Sequence, residues 1–518
     1  TFTSQAQTKR LNRRAELALR DAELWSVAAN ALKGYTVPLP ELDHAWKLVL
    51  LNQFHDILPG SSIGRVYDEA ERDLAEAVAT GQNIATAATA QLASGGNDAV
   101  TVFNSLSFPR TVLAEVPVSR GQAAGAQSEP LPAQWHGDKT LVEVTTPACG
   151  WTTLKVTAAA GEAAPAPDGA VRAALTDDGA ILENKLIRAT FDAAGELVSL
   201  WDKAEEREWM AGPGNAFLMY KDVPRMWDAW DIDSNYVDQP VELGREATLE
   251  VAAEGPLMAA LRVTRTLHNS PVTQEIRLCR GSRRLDFATS VEWQEKHKLL
   301  KVAFPVTIHA DEAIHEIQYA HVRRPNHRSR RYDADRFEVP QQRWTALAEE
   351  GRGAAVLNDS KYGVDVLGNA IRLTLLKSAM APDPHADEGM QEFTYSLYVW
   401  NGSFYESEVV QEAADLNVPV MVAAGAPAEA TRSLFTLSAA NIFLDTVKPA
   451  EDGSGDVVLR LFEAKRTATR CTLTTTLPFA RASQTNMLEE HQADLPFENG
   501  QLALDFRPFE VKTVRLSK

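Results

Sequence analysis

The apolar residues of this chain change period once, at "SGGNDA" (residues 94–99), and that change sets the fold class. Upstream, "SQAQTKRLNRRAELALRDAELWSVAANALKG" places Leu11, Ala15, Ala18, Ala22, Trp25, Ala29 and Leu32 at three- and four-residue spacing, the mark of a helix with one apolar face. Gly34 stands where a left-handed residue would close that helix. A second helix is expected from about Leu42 to Leu58, stopped by Pro59 and Gly60. A third is expected from Ser61 or Ser62, whose hydroxyls can cap free N–H groups, through "VYDEAERDLAEAVATGQNIATAATAQLA". Three long helices joined by short turns make an up-and-down bundle.

Downstream the pattern alternates. "VTVFNSLSFPRTVLAEVPV", "TLEVAAEGPLMAALRVTRTLHN" and "RRLDFATSVEWQ" repeat with period two, as half-buried strands do. Ala/Gly/Pro-rich stretches at 119–133, 158–170 and 422–430, and "AEDGSGD" near 450, are expected to be loops or boundaries. The predicted class is multidomain α + β: an N-terminal three-helix bundle followed by antiparallel β-sandwich domains. At 518 residues the chain is too long for one core, since roughly 150 residues make a domain. The expected division is 1–96 (bundle), 97–160 (small sandwich), 170–425 (large sandwich) and 430–518 (C-terminal β domain).

Charge and cysteine usage narrow the function classes. A formal charge of −18 argues against a nucleic-acid or anionic-membrane partner. No run of 18 apolar residues spans a bilayer, and "TFTSQAQTKR" has no signal-peptide apolar core. Cys149, Cys279 and Cys471 are scattered and form no CxxC pair, so a reducing, cytoplasmic setting is expected. Homo-oligomerisation is left open.

The chemistry-bearing stretch is "LLNQFHDILPGSSI", residues 50–63. On a helix running to Leu58, Leu42, Trp46, Val49, Leu50, Phe54 and Ile57 cover one face, and Leu48, Leu51 and His55 lie opposite. A helix apolar on both faces is covered on both, and the other two helices can cover only one. His55 and Asp56 stand together at its end. Residue types alone allow a core histidine with a turn aspartate, or a share of a metal or ligand site, because zinc needs three or four converging ligands. His-x-Asp triplets at His136/Asp138, His309/Asp311 and His385/Asp387 share no spacing with His55 and read as chance. "RMWDAWDID", residues 225–233, sets tryptophan faces beside carboxylates. Sugars are recognised by such a set, and strand-end packing uses it as well.

These motifs, in order, resemble glycoside hydrolase family 38, the class II α-mannosidases, in their cytosolic and bacterial branch. "NQFHDILPGSSI" is similar to that family's signature, and "TFTSQAQTKRLNRRAE" to the opening of its middle helical domain. "VFNSLSFPR", "LENKLIRATFDAAGELVSLWDK", "DVPRMWDAWDID", "EIQYAHVRRPNH" and "RFEVPQQRW" follow as in its β domains, the large one a mutarotase-like supersandwich. The family's catalytic α/β barrel, which precedes the helices, has no counterpart here, so the chain resembles the C-terminal portion of such an enzyme.

The resemblance implies a zinc-dependent, retaining hydrolase of terminal α-linked mannose in oligosaccharides. His55 is then a zinc ligand and Asp56 a mannose-binding carboxylate, with Asp228 and Asp231 also on the substrate side. The nucleophile and acid/base are expected on the absent barrel, which becomes the chain's main partner, and the chain alone should be inactive. Two rivals remain: a non-enzymatic carbohydrate-binding or scaffold module built on the Trp cluster, and a self-contained metallohydrolase using one of the β-region His-x-Asp pairs.

Overall fold

A computed structural model describes residues 1–96, 98–158 and 166–518. The expected boundary at 97, the one at 160 and part of the 158–170 stretch lie outside the described residues. Helices come first: α1 (Ala6–Lys33), α2 (Leu39–Asn52) and α3 (Gly64–Leu92). α1 closes as its sequence requires. Gly34 takes φ +69°, and the amides of Gly34 and Tyr35 reach back to the Asn30 and Ala29 carbonyls at 3.0 and 3.3 Å. After residue 98 the described structure is almost entirely antiparallel strands, so the expected α + β class with β sandwiches is the one adopted.

Two compact units emerge. The first comprises Thr1–Arg13, Leu50–Leu74 and Ala166–Asn417. It holds a nine-stranded sheet, a six-stranded sheet and a five-stranded sheet. In the nine-stranded sheet, Met258–Leu267, Ser270–Cys279, Arg284–Trp293 and Gly389–Asn401 are successive neighbours. Strand Arg284–Trp293 buries every second residue from Leu285 to Trp293. Its Phe287 stacks on Tyr395 at 5.2 Å and tilts against Phe304, from the six-stranded sheet, at 5.6 Å. The sheets thus bury their apolar faces in one core.

The second unit comprises Arg14–Val49, Ala75–Pro165 and Val418–Lys518. Strands Ala99–Asn104 and Gly150–Ala158 pair in one sheet and Arg110–Val116 and Lys139–Thr146 in another, around a core of Val102, Ala114, Val142 and Leu154. Two more sheets, built on Thr469–Thr475 and Val457–Glu463, complete it. α1 and α3 meet closely here, for a Cβ on Gly81 would lie 2.8 Å from the Ala18 carbonyl carbon.

Three local expectations are corrected. The stretch 119–133 contains the paired strands Gly121–Ala124 and Pro130–Leu131, and Met421–Ala424 pairs with Ala99–Asn104. Small residues read as loop, yet an open strand edge supplies partners for their backbone groups, which the local pattern does not record. α2 ends at Asn52, not Leu58, and buries the single face Leu42, Ala45, Val49 and Asn52. Leu50, Leu51 and Phe54 are exposed, at 63%, 60% and 53%. The Ser62 hydroxyl donates to the Asp56 carbonyl at 2.8 Å, so it serves the preceding turn rather than capping α3. No described helix is long and apolar enough to cross a membrane, and Cys149, Cys279 and Cys471 are free.

Candidate functional site

Residues 53–60 form a chain of tight turns after α2. The amides of Phe54, Ile57 and Gly60 each reach the carbonyl three residues back, at 3.1, 3.0 and 3.0 Å. Helix propensity favours continuing, but tertiary contacts to this segment prevail. Gly60 takes φ +94°, and a Cβ there would lie 2.6 Å from the Ser4 carbonyl oxygen. The Tyr67 hydroxyl accepts the Ser62 amide at 2.7 Å and lies 3.3 Å from the Asp56 carbonyl oxygen. His55 therefore projects from a turn and not from a helix face, with 76% of its side chain exposed. Its ring packs 4.2 Å from Phe54, and its Nε2 lies 3.5 Å from Asp56 Oδ2.

The Trp-rich segment is a second loop, held from within. Lys377 Nζ, wholly buried, donates to Asp222 Oδ2 at 2.5 Å and to the Asp228 carbonyl at 2.8 Å. Asp228 Oδ2 accepts the Met380 and Ala381 amides at 2.6 and 3.1 Å and lies 2.9 Å from His297 Nε2. Asp231 is exposed and accepts its neighbour's amide, from Ile232 at 3.0 Å. Just before Asp228, Trp227 adopts φ +59°, rare for a bulky residue, and presents an indole that is 70% exposed. Met226 and Trp230 are exposed beside it.

The N-terminal segment joins the two loops. Ser4 Oγ donates to the Ala229 carbonyl at 2.7 Å while its backbone packs on Gly60. Lys9 Nζ donates to the Ser4 carbonyl at 2.5 Å and to the Leu58 carbonyl at 2.7 Å. Asp387 anchors this segment. Its two oxygens accept the Gln5 and Ala6 amides at 3.2 and 2.6 Å, at the positive end of α1. Burial pushes the Asp387 carboxyl up to about 6 and the Lys9 ammonium down to about 7. His385, exposed, pairs with Glu388 at 2.8 Å, so the His385/Asp387 triplet splits between two unrelated tasks.

The structure thus ties the "HD" turn and the Trp loop to one short segment. Neither motif announces that link in the sequence. Ser4, Lys9 and Lys377, all buried, and the half-exposed His297 carry no periodic signal in the sequence, because polar anchors follow no repeat. The only hint is the polar run Thr8, Lys9, Asn12 and Arg13, buried at the start of α1.

No group of three or more His, Cys, Asp and Glu converges on a metal-sized point among the described residues. One imidazole and one carboxylate at His55 and Asp56 suit an edge of a zinc site and fall short of the four donors zinc takes.

Three family descriptions match the chain: "Alpha mannosidase middle domain" over residues 1–92, "Glycosyl hydrolases family 38 C-terminal domain" over 182–385, and "Glycosyl hydrolases family 38 C-terminal beta sandwich domain" over 441–514. The chain is 37% identical to alpha-mannosidase 2C1 of Homo sapiens over all of its own length and 49% of that protein's. It is 30% identical to alpha-mannosidase G of Dictyostelium discoideum, covering 51% of it. The chain spans about half the length of these relatives. Its fold matches the crystal structure of an alpha-mannosidase from Enterococcus faecalis V583 with a TM-score of 0.84 at 19% identity, over 99% of this chain and 67% of that one. The chain belongs to glycosyl hydrolase family 38, whose middle and C-terminal domains it carries.

Proposed function

We propose that the chain is the middle and C-terminal part of a cytoplasmic α-mannosidase that removes terminal α-linked mannose with retention and depends on zinc. In this reading His55 supplies one metal ligand and Asp56 binds mannose hydroxyls. Asp231 and the exposed Trp227 face lie at the sugar's side, and Asp228 serves the substrate by holding that loop. The remaining metal ligands and both catalytic carboxylates come from a further domain, the chain's partner, within a protein about twice as long, as its relatives are. The supporting observation is the exposed His55–Asp56 turn, set among the exposed apolar side chains Leu50, Leu51, Phe54 and Ile63. A polar pair framed by uncovered apolar groups suits a seam that another domain covers.

The test compares this chain with the full-length protein in hydrolysis of an aryl α-mannoside, with and without a chelator. Activity only in the full-length protein, lost on chelation and in His55→Ala, is the expected result. Robust turnover by this chain alone, or full-length activity indifferent to both perturbations, overturns it. The rival binding module predicts mannose binding by this chain without zinc.

A further inference from the structure

Lys9 is 5% exposed, and burying an ammonium is costly unless its N–H groups are taken up. An apolar residue would fill the same space without that cost. Two of its donors go to the carbonyls of Ser4 and Leu58, which belong to different segments. Ser4 in turn donates to Ala229, in the loop that carries Trp227, Trp230 and Asp231. Leu58 closes the turn that carries His55 and Asp56, whose amide ladder includes the Leu58 N–H on the Phe54 carbonyl at 3.2 Å. One side chain therefore bonds the His55–Asp56 turn directly and reaches the Trp loop through Ser4. Tyr67, by contrast, bonds the turn, and Lys377 bonds the Trp loop.

We propose that Lys9 is a positioning residue that locks the His55–Asp56 turn in register with the Trp227–Asp231 loop, so that both meet one sugar together. The sugar-binding role rests on the function proposed above; the lock itself does not. Burial lowers the Lys9 ammonium to about 7, with Asp387 opposing and Lys361 reinforcing the shift. The neutral amine retains two N–H groups, enough for both carbonyls, so the lock survives loss of the proton.

Native-state amide exchange on this chain tests the lock. Lys9→Met is expected to speed exchange at Leu58 and Gly60 and also at Trp230 and Asp231, each by tenfold or more. Strand amides of Arg284–Trp293 should stay unchanged. Ser4→Ala, a milder change, should speed only Trp230 and Asp231. Unchanged exchange at either loop in Lys9→Met, or equal acceleration throughout the unit, overturns the lock. In the full-length enzyme Lys9→Met should raise KM for an aryl α-mannoside about tenfold with zinc content intact. Both loops loosened with KM and kcat unchanged would overturn the functional half of the proposal. His55→Ala separately decides whether the mannosidase reading stands.

Discussion

Replacing Asp228 by alanine separates a loop anchor from a sugar contact. Asp228 Oδ2 holds the Met380 amide at 2.6 Å in a part-buried position, the Ala381 amide at 3.1 Å in an exposed one, and His297 Nε2 at 2.9 Å. A hydrogen bond to a charged acceptor contributes about 1.5–3 kcal/mol when it cannot be replaced by water. Counting the Met380 bond in full, the His297 bond at about half for its partial exposure, and the Ala381 bond not at all gives a loss of about 2–4 kcal/mol. Each 1.4 kcal/mol is about tenfold, so the Met380 amide should exchange about 30-fold faster at the low end and nearly 1,000-fold faster at the high end. Asp228→Asn keeps one acceptor oxygen in place and should lose much less. Hydrogen exchange resolved at Met380 is the direct assay, because that amide is the donor. A change below about threefold in Asp228→Ala would refute the anchoring argument. If mannosidase activity fell at the same time, Asp228 would act on the substrate alone.

Gly60→Ala should cost about 2–4 kcal/mol, since φ +94° and the Ser4 carbonyl 2.6 Å away both oppose a Cβ; thermal unfolding measures it. Leu50→Ser and Phe54→Ser should shift the stability of this chain by less than about 0.5 kcal/mol, measured by thermal unfolding, because both side chains are exposed. His315 is buried beside Thr345 Oγ1 at 2.9 Å, and burial lowers its pKa from 6.5 to about 3. The folded state then binds fewer protons than the unfolded state between those values. The stability His315 contributes is complete above pH 6.5 and falls away as pH drops toward 3, by about 5 kcal/mol at most. Acid titration of His315→Gln should give a flatter stability profile over that window than the parent chain.

What the sequence determined by itself is whatever repeats along the backbone or closes locally. The change from helical to alternating period near residue 95 marks where α3 ends and strands begin, and Gly34 marks the end of α1, because each signal is carried by neighbouring residues. The motif His55–Asp56 and the Trp cluster are visible in the same way, as unusual residue types at close spacing. The tertiary structure alone decided where those motifs stand. α2 stops at Asn52 because Lys9, Tyr67 and the backbone of Ser4 grip the following turn, contacts spanning up to 56 residues that no local pattern encodes. The same holds for Asp387 at the start of α1, 382 residues from Gln5. Periodicity reports which face of an element is buried; it is silent on which buried polar group meets which. The pairing of the two loops through one lysine is information of that second kind, and it exists only once the chain has folded.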